Sequence, residues 1–437
     1  MGVRGKMKRE NLTRNLTFFT VAVLVAAAFL CDSPRNILEG MQKILVSHSL
    51  LITDFCTVGG RGAAFLNAAF ILLTGVILVM VEKIPFTGPT MAALFINTGY
   101  GLWGKTPLNI LPILFGIWLY SRTHGVRLGR HIYTALFGTC LAPFVTELYY
   151  LLPYPLIVRA AIAAVLGIVV GFFLPPLSAH TTSMHMGYNL FNVGFSAGIL
   201  AFVIVCVMKS LGLQTETVLL WETGRPVGVA VGLYLFFLAV FVTGFFCSGR
   251  KLDGLKKIFT RPGRAVSDFI LMDGAGPAMM NMGLMGAICT TYILLIGGDF
   301  SGPVVGAIMM VFGFSAFGAH VKNYLPVLAG VYLFTFVSRY EPATPGIQLA
   351  AIFGIGLSPI AGQFGIPAGI LAGILHSAVA MSTAQIYGGL NLYNNGFSAG
   401  WVAIFMVPLV ESFMKQHKGR KRKKQRWFTK KRRLQKS

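Results

Sequence analysis

Gly187-Tyr-Asn-Leu-Phe-Asn-Val-Gly-Phe-Ser-Ala-Gly198 returns near the end of the chain as Gly389-Leu-Asn-Leu-Tyr-Asn-Asn-Gly-Phe-Ser-Ala-Gly400, identical at nine of twelve positions. Each copy is a polar, glycine-rich segment that runs straight into an apolar helix, over 199–209 and 401–414. Polar, glycine-rich backbone at membrane depth must line a cavity or be buried in protein. The twin stretches are therefore expected to be paired half-sites of one pathway.

Each twin closes a longer repeat. Residues 54–119 align without a gap on 268–333, with 18 of 66 positions identical, where chance at this composition gives about five. The matches fall in blocks. Asp54-Phe55 matches Asp268-Phe269, Asn67 matches Asn281, Phe86-Thr-Gly-Pro89 matches Phe300-Ser-Gly-Pro303, and Asn109-Ile-Leu-Pro112 matches Asn323-Tyr-Leu-Pro326. Farther on, Phe137-Gly138 and Leu141-x-Pro143 match Phe353-Gly354 and Leu357-x-Pro359. The chain thus divides into a first span with its leader (1–53), repeat one (54–212), a connector with a span of its own (213–265), repeat two (266–415) and a tail (416–437).

Composition sets the class. The 437 residues are 55% hydrophobic and 12% charged, arranged in fourteen apolar runs, which excludes a soluble enzyme and predicts an all-α polytopic membrane protein. Several runs are short and broken by Gly or Pro, as in transporters with paired half-helices. The segments 86–121 and 300–337 each read as a hairpin, either two full spans or a re-entrant pair. The basic N-terminus leads into an uncleaved first span over 15–31, because no small-x-small cleavage site follows.

The net charge of +23 is concentrated: the tail from Gln416 carries twelve Lys/Arg and no acid. After a membrane domain such a tail is expected to contact anionic lipid, not nucleic acid. Basic loops at 1–14, 122–130 and 250–264 join it in the cytoplasm by the positive-inside rule, which leaves 212–225 and 338–345 outside. Repeat one then begins outside and repeat two inside, so the two insert with inverted topology. Both termini are cytoplasmic in this reading.

Asn189, Asn192, Gly194 and Ser196, with Asn391, Asn394, Gly396 and Ser398, are the candidate substrate-binding residues. Side-chain amides supply donors and an acceptor, and free N–H groups at helix starts favour anions. The competing reading is helix packing through Gly and Ser. Asp54, Asp268, Asn109 and Asn323 are candidates for ion or proton coupling. The plain alternative is capping by the aspartates and backbone satisfaction by the asparagines beside proline. Glu147, Glu411 and Asp273 are further acids of the same kind. The six scattered cysteines read as small hydrophobes. His180 and His185 do not share a helix face, so no metal site is expected, and no cofactor motif is present.

The blocks at 389–400, 323–326 and 268–269 resemble a bacterial membrane family, domain of unknown function 1576. That resemblance covers most of 15–415 and implies a bacterial inner-membrane protein, with no activity attached. Gly187-Tyr188-Asn189 is more faintly similar to an element of urea transporters, which are also inverted repeats. The second copy has Leu390 in place of Tyr188, and neither copy carries the following Gly. Three function classes stay open. They are a secondary transporter of a small polar or anionic solute, a urea-like channel for a neutral solute, and a membrane-embedded enzyme acting on a lipid-linked substrate. Homo-oligomerisation also stays open.

Overall fold

The computed structural model describes residues 3–215 and 218–434, with side chains from 10 to 415 apart from 216 and 217. Its described residues are helical, without strands. In chain order the first half comprises α1 (Val3–Cys31), α2 (Pro34–Leu45), α3 (Phe55–Gly59), α4 (Arg61–Val81), α5 (Gly88–Tyr100), α6 (Leu111–Thr123), α7 (Ile132–Gly138), α8 (Ala142–Leu151), α9 (Leu156–Met184) and α10 (Asn192–Ser210). After α11 (Val227–Cys247) and α12 (Asp253–Ile258) the second half repeats the series. It comprises α13 (Phe269–Met272), α14 (Ala275–Leu295), α15 (Gly302–Phe314), α16 (Val321–Phe334), α17 (Pro345–Phe353), α18 (Ser358–Phe364), α19 (Ile366–Thr383) and α20 (Asn394–Leu434). Both α7–α8 and α17–α18 are joined by a 3-10 turn, and the breaks fall at Gly138 and Gly354.

Ten of these segments are long and apolar enough to cross a membrane. The hairpin helices α5, α6, α15 and α16 are shorter, at 13, 13, 13 and 14 residues. At 1.5 Å per residue each is about 20 Å long, against a hydrocarbon core of about 30 Å. Although apolar residues continue past it, the chain turns at Gly101 and runs on as irregular backbone to Ile110, buried through Thr106 and again at Asn109 and Ile110. Each hairpin returns the chain to the end it left. Glu82, past α4, accepts from Gly129 N at 3.0 Å and pairs with Arg127. Asp299, past α14, donates its N–H to Gln348 at 2.9 Å.

The same bonds recur 214 positions apart. Asn67 Nδ2 donates to the carbonyls of Gly101 (2.6 Å) and Lys105 (2.7 Å), holding the turn after α5. Asn281 Nδ2 donates to Ser315 (2.7 Å) and Ala319 (2.8 Å), the equivalent carbonyls after α15. Asp54 bridges to Trp103 as Asp268 does to Phe317.

Helices α5 and α15 cross each other at the middle of the molecule. A Cβ on Gly99 would lie 2.3 Å from Gly306 O, and one on Gly313 would lie 3.2 Å from Ala92 Cα. The C-terminal part of each helix thus meets the N-terminal part of the other, so they run antiparallel. The ends of α4 and α14 agree. Arg61, which opens α4, pairs with Glu222 at 2.9 Å, while Asp299 beyond α14 accepts from Trp221 Nε1 (2.8 Å) and Gly224 N (2.7 Å). One loop meets the start of α4 and the end of its counterpart.

The cysteines divide evenly: Cys56, Cys140 and Cys289 are buried, as expected of small hydrophobes, while Cys31, Cys206 and Cys247 are exposed. Glu216 and the side chains of the basic tail lie outside the described residues.

Candidate functional site

The twin stretches meet at the centre. Each begins with an Asn whose Oδ1 accepts from the backbone two residues on, Asn189 from Phe191 N (2.9 Å) and Asn391 from Tyr393 N (3.0 Å). These turns bend the chain back from α9 and α19 into α10 and α20. Asn189 Nδ2 then crosses to Gly396 O of the other twin at 3.1 Å. Asn391 Nδ2 is buried and has no partner among the described residues.

The second asparagine of each twin ties its helix to the preceding one. Asn192 Nδ2 donates to Ser178 O at 2.9 Å, while its Oδ1 accepts from Thr181 at 3.0 Å and faces His185 Nε2 at 2.9 Å. Asn394 Nδ2 donates to Ala380 O at 3.0 Å, while its Oδ1 accepts from Thr383 at 2.7 Å and from the Tyr387 hydroxyl. Ser196 and Ser398 complete these clusters through Thr181 (2.7 Å) and Thr383 (2.9 Å). The amides of Asn192 and Asn394 are therefore engaged with protein groups.

The glycines carry the contact between twins. A Cβ on Gly198 would lie 2.4 Å from the Phe397 ring, and one on Gly400 would lie 2.2 Å from Phe195. Gly194 and Gly396 face each other beside Tyr393. Small residues four apart let helices approach this closely in a membrane, and a phenylalanine from each side fills the space. Above them Phe191 and Tyr393 meet at 5.0 Å. Phe314 lies 4.8 Å from Phe191, Tyr100 lies 5.7 Å from Tyr393, and Phe137 and Phe353 close the ring cluster. These six rings form three equivalent pairs, one member from each half.

Each twin lines a cavity. The larger of the two, about 440 Å³, is lined by Thr182, His185, Asn189, Asn192 and Gly194 together with Ala265 and Val266. The smaller, about 220 Å³, is lined by Ala384, Asn394 and Asn395 together with Leu51 and Ile52. These are equivalent positions: 182 with 384, 192 with 394, and 265–266 with 51–52. Beside the larger cavity, Arg264 and Ala265 bond Met186 and Gly187. Beside the smaller, Ile52 bonds Val218 and Leu51 bonds Gly389.

The aspartates cap helices, and each does so in both halves. Asp54 accepts from Cys56 N (2.8 Å) in its own half, from Gly302 N (3.1 Å) at the start of α15, and from Glu222 N (3.1 Å). Asp268 accepts from Leu271 N (3.0 Å) and from Gly88 N (3.0 Å) at the start of α5. A Cβ on Gly302 would lie 2.4 Å from Asp54 Oδ1. The Thr/Ser-Gly-Pro block thus leaves room for a carboxylate from the other half. Asn109 and Asn323 satisfy backbone, accepting from Thr106 N (2.9 Å) and His320 N (2.8 Å) and donating to Gly104 O and Gly318 O. Asp273 pairs with Arg261 at 2.9 Å, Glu147 with His48 at 2.8 Å, and Glu411 with Lys415 at 3.9 Å. Among the described residues no cluster of three or more metal-ligating side chains occurs.

Lys105 escaped the sequence reading, whereas His376, a lone histidine, is expected from sequence to be packed or pore-lining and not catalytic. Lys105 is fully buried beside the plug. His376 is fully buried near Asn395, and neither ring nitrogen reaches a well-formed hydrogen bond. The equivalents of Lys105, His376 and Asn395 are Ala319, Leu174 and Val193. A polar residue facing an apolar one across the repeat was the signal available.

Ten spanning helices around buried, irregular hairpin tips define a multi-pass, all-α membrane protein. The chain belongs to the family described as a protein of unknown function (DUF1576), whose profile matches residues 33–210 and 247–412. The connector helix α11 falls in the gap between the two matched stretches. No curated protein and no solved structure matches the chain.

Proposed function

We propose that the protein is a secondary transporter of a small polar or anionic solute, with two halves inserted upside down relative to each other. The observation that carries this reading is the pair of cavities lined by equivalent residues of the two halves, one beside Asn192 of the first twin and one beside Asn394 of the second, with the twins themselves packed together through Phe191 and Tyr393. A solute entering one cavity reaches the other only if the twins part. Inverted halves make the two access states equivalent by symmetry, as alternating access requires. The antiparallel α5 and α15, and the opposed directions of α4 and α14, support the inversion. The basic loops 122–130 and 250–264 adjoin the segments, Tyr133–Thr134 and Ala265–Val266, that line the larger cavity. The positive-inside rule puts those loops in the cytoplasm of a bacterial inner membrane, with both termini.

The test uses Thr182→Cys and Ala384→Cys, equivalent positions that line the two cavities. In a cysteine-free background, a membrane-impermeant thiol reagent should label Cys at 182 from the cytoplasmic side only and Cys at 384 from the outside only. Labelling of both from one side would refute the inversion. Reconstituted protein that moves no solute, neutral or anionic, faster than empty liposomes would refute transport.

A further inference from the structure

We infer that Lys105 is the centre of an anion site, and that the solute is a small monovalent anion such as formate, acetate, nitrate or a halide. The inference rests on the transport reading, whose substrate class it names.

Lys105 lies in the turn after α5 and is fully buried. Its Nζ donates to Asn97 Oδ1 at 2.7 Å and to Thr139 Oγ1 at 2.7 Å, and stands 4.9 Å from the centre of the Tyr100 ring. Among the described residues no carboxylate pairs with it. An ammonium buried at membrane depth without a counter-charge is costly, and such residues mark solute or ion pathways.

The second half shows that the fold does not need it. Where the first half has Lys105, Asn97, Thr139 and Tyr100, the second has Ala319, Val311, Ile355 and Phe314. The backbone frame is nonetheless the same. Asn67 holds Lys105 O as Asn281 holds Ala319 O, and the 3-10 turn falls at Thr139 as at Ile355. The charge and its polar neighbours are added to a frame that forms without them, and a departure from local consistency of this kind points to function.

Its place fits a solute path. The Tyr100 ring that Lys105 faces also contacts Tyr393 and Phe353 in the plug. Among the described residues the Tyr393 hydroxyl is buried without a partner, and the Tyr100 hydroxyl reaches only Leu392 O, at 3.2 Å. When the twins part, an anion between the rings meets one ammonium and the hydroxyls of Thr139, Tyr100 and Tyr393. One fixed charge balances one negative charge, and the crowded centre admits only a few heavy atoms.

The test titrates sodium formate and sodium nitrate into purified, detergent-solubilised full-length protein, with gluconate holding ionic strength constant. Thermal unfolding is the readout. Wild type should be stabilised saturably by at least one of these anions. Lys105→Gln should bind at least ten-fold more weakly. The triple variant Lys105→Ala, Asn97→Val, Thr139→Ile copies the second half's own residues and should fold without responding. Absence of a saturable response in wild type, or an undiminished response in the triple variant, overturns the site. Flux in proteoliposomes separates the two proposals. Movement of neutral solutes but no anion leaves transport standing and removes the site, whereas no flux at all refutes transport while the titration still decides the site.

Discussion

Replacing Asp54 tests what the paired aspartates do. Two buried N–H groups, those of Cys56 and Gly302, and the half-buried one of Glu222 end on this one carboxylate. Asp54→Ala leaves all three without an acceptor, at about 1–3 kcal/mol for each buried orphan. Even the low end for the two buried groups sums to about 2 kcal/mol, enough to lower the unfolding temperature of a chain this size by about 2 °C. Asp54→Asn keeps one acceptor oxygen. Oδ1 takes Cys56 alone and Oδ2 takes the other two, so the amide retains one set and turns its NH₂ toward the other. Its loss should be intermediate. The assay is thermal unfolding of purified protein in detergent, followed by solute flux per folded molecule. A proton carrier behaves otherwise, because Asp54→Asn would then unfold like wild type and abolish flux. Asp54→Ala unfolding within about 1 °C of wild type would refute the capping argument.

Two further outcomes follow from the geometry. Gly306→Leu places side-chain atoms where a Cβ alone would lie 2.4 Å from Gly99 O, and backbone cannot yield as a side chain can, so the loss should exceed the usual 1–3 kcal/mol of overpacking. Gly228→Leu, with open space around it, should be neutral, and monodisperse yield on size exclusion compares the two. Deleting 418–437 should leave folding and transport intact but lower affinity for anionic vesicles, most at low salt, in co-sedimentation at two ionic strengths.

The spanning helices and the meeting of the twins were legible because each rests on a long pattern, apolar runs in one case and nine identities in the other. Capping by Asp54 and Asp268 was legible from their place before apolar helices. Their second partners were not, since Gly302 lies 248 residues from Asp54 and no local signal reports a bond at that separation. Hairpin length was also hidden. Gly101-Leu102-Trp103 continues the apolar run, and only the bonds from Asn67 show that the helix has stopped. Asn192 and Asn394 read first as solute ligands and second as helix ties, because an amide in an apolar stretch serves either use. Their bonds to Ser178 and Ala380 favour the tie. Lys105 carries no local signal of its own, and only its alignment with Ala319 distinguishes it.

The exchanged caps also bear on biogenesis. Gly88 emerges from the ribosome 180 residues before Asp268, the group that finishes its helix. At about 5–20 residues per second that interval is about ten to forty seconds. For that time the first half sits in the bilayer with the start of α5 uncapped, against a crossing partner not yet made. Topology must therefore be set helix by helix at insertion, whereas the tertiary structure of both halves locks only when the second arrives. The halves are separate in sequence and a single unit in assembly.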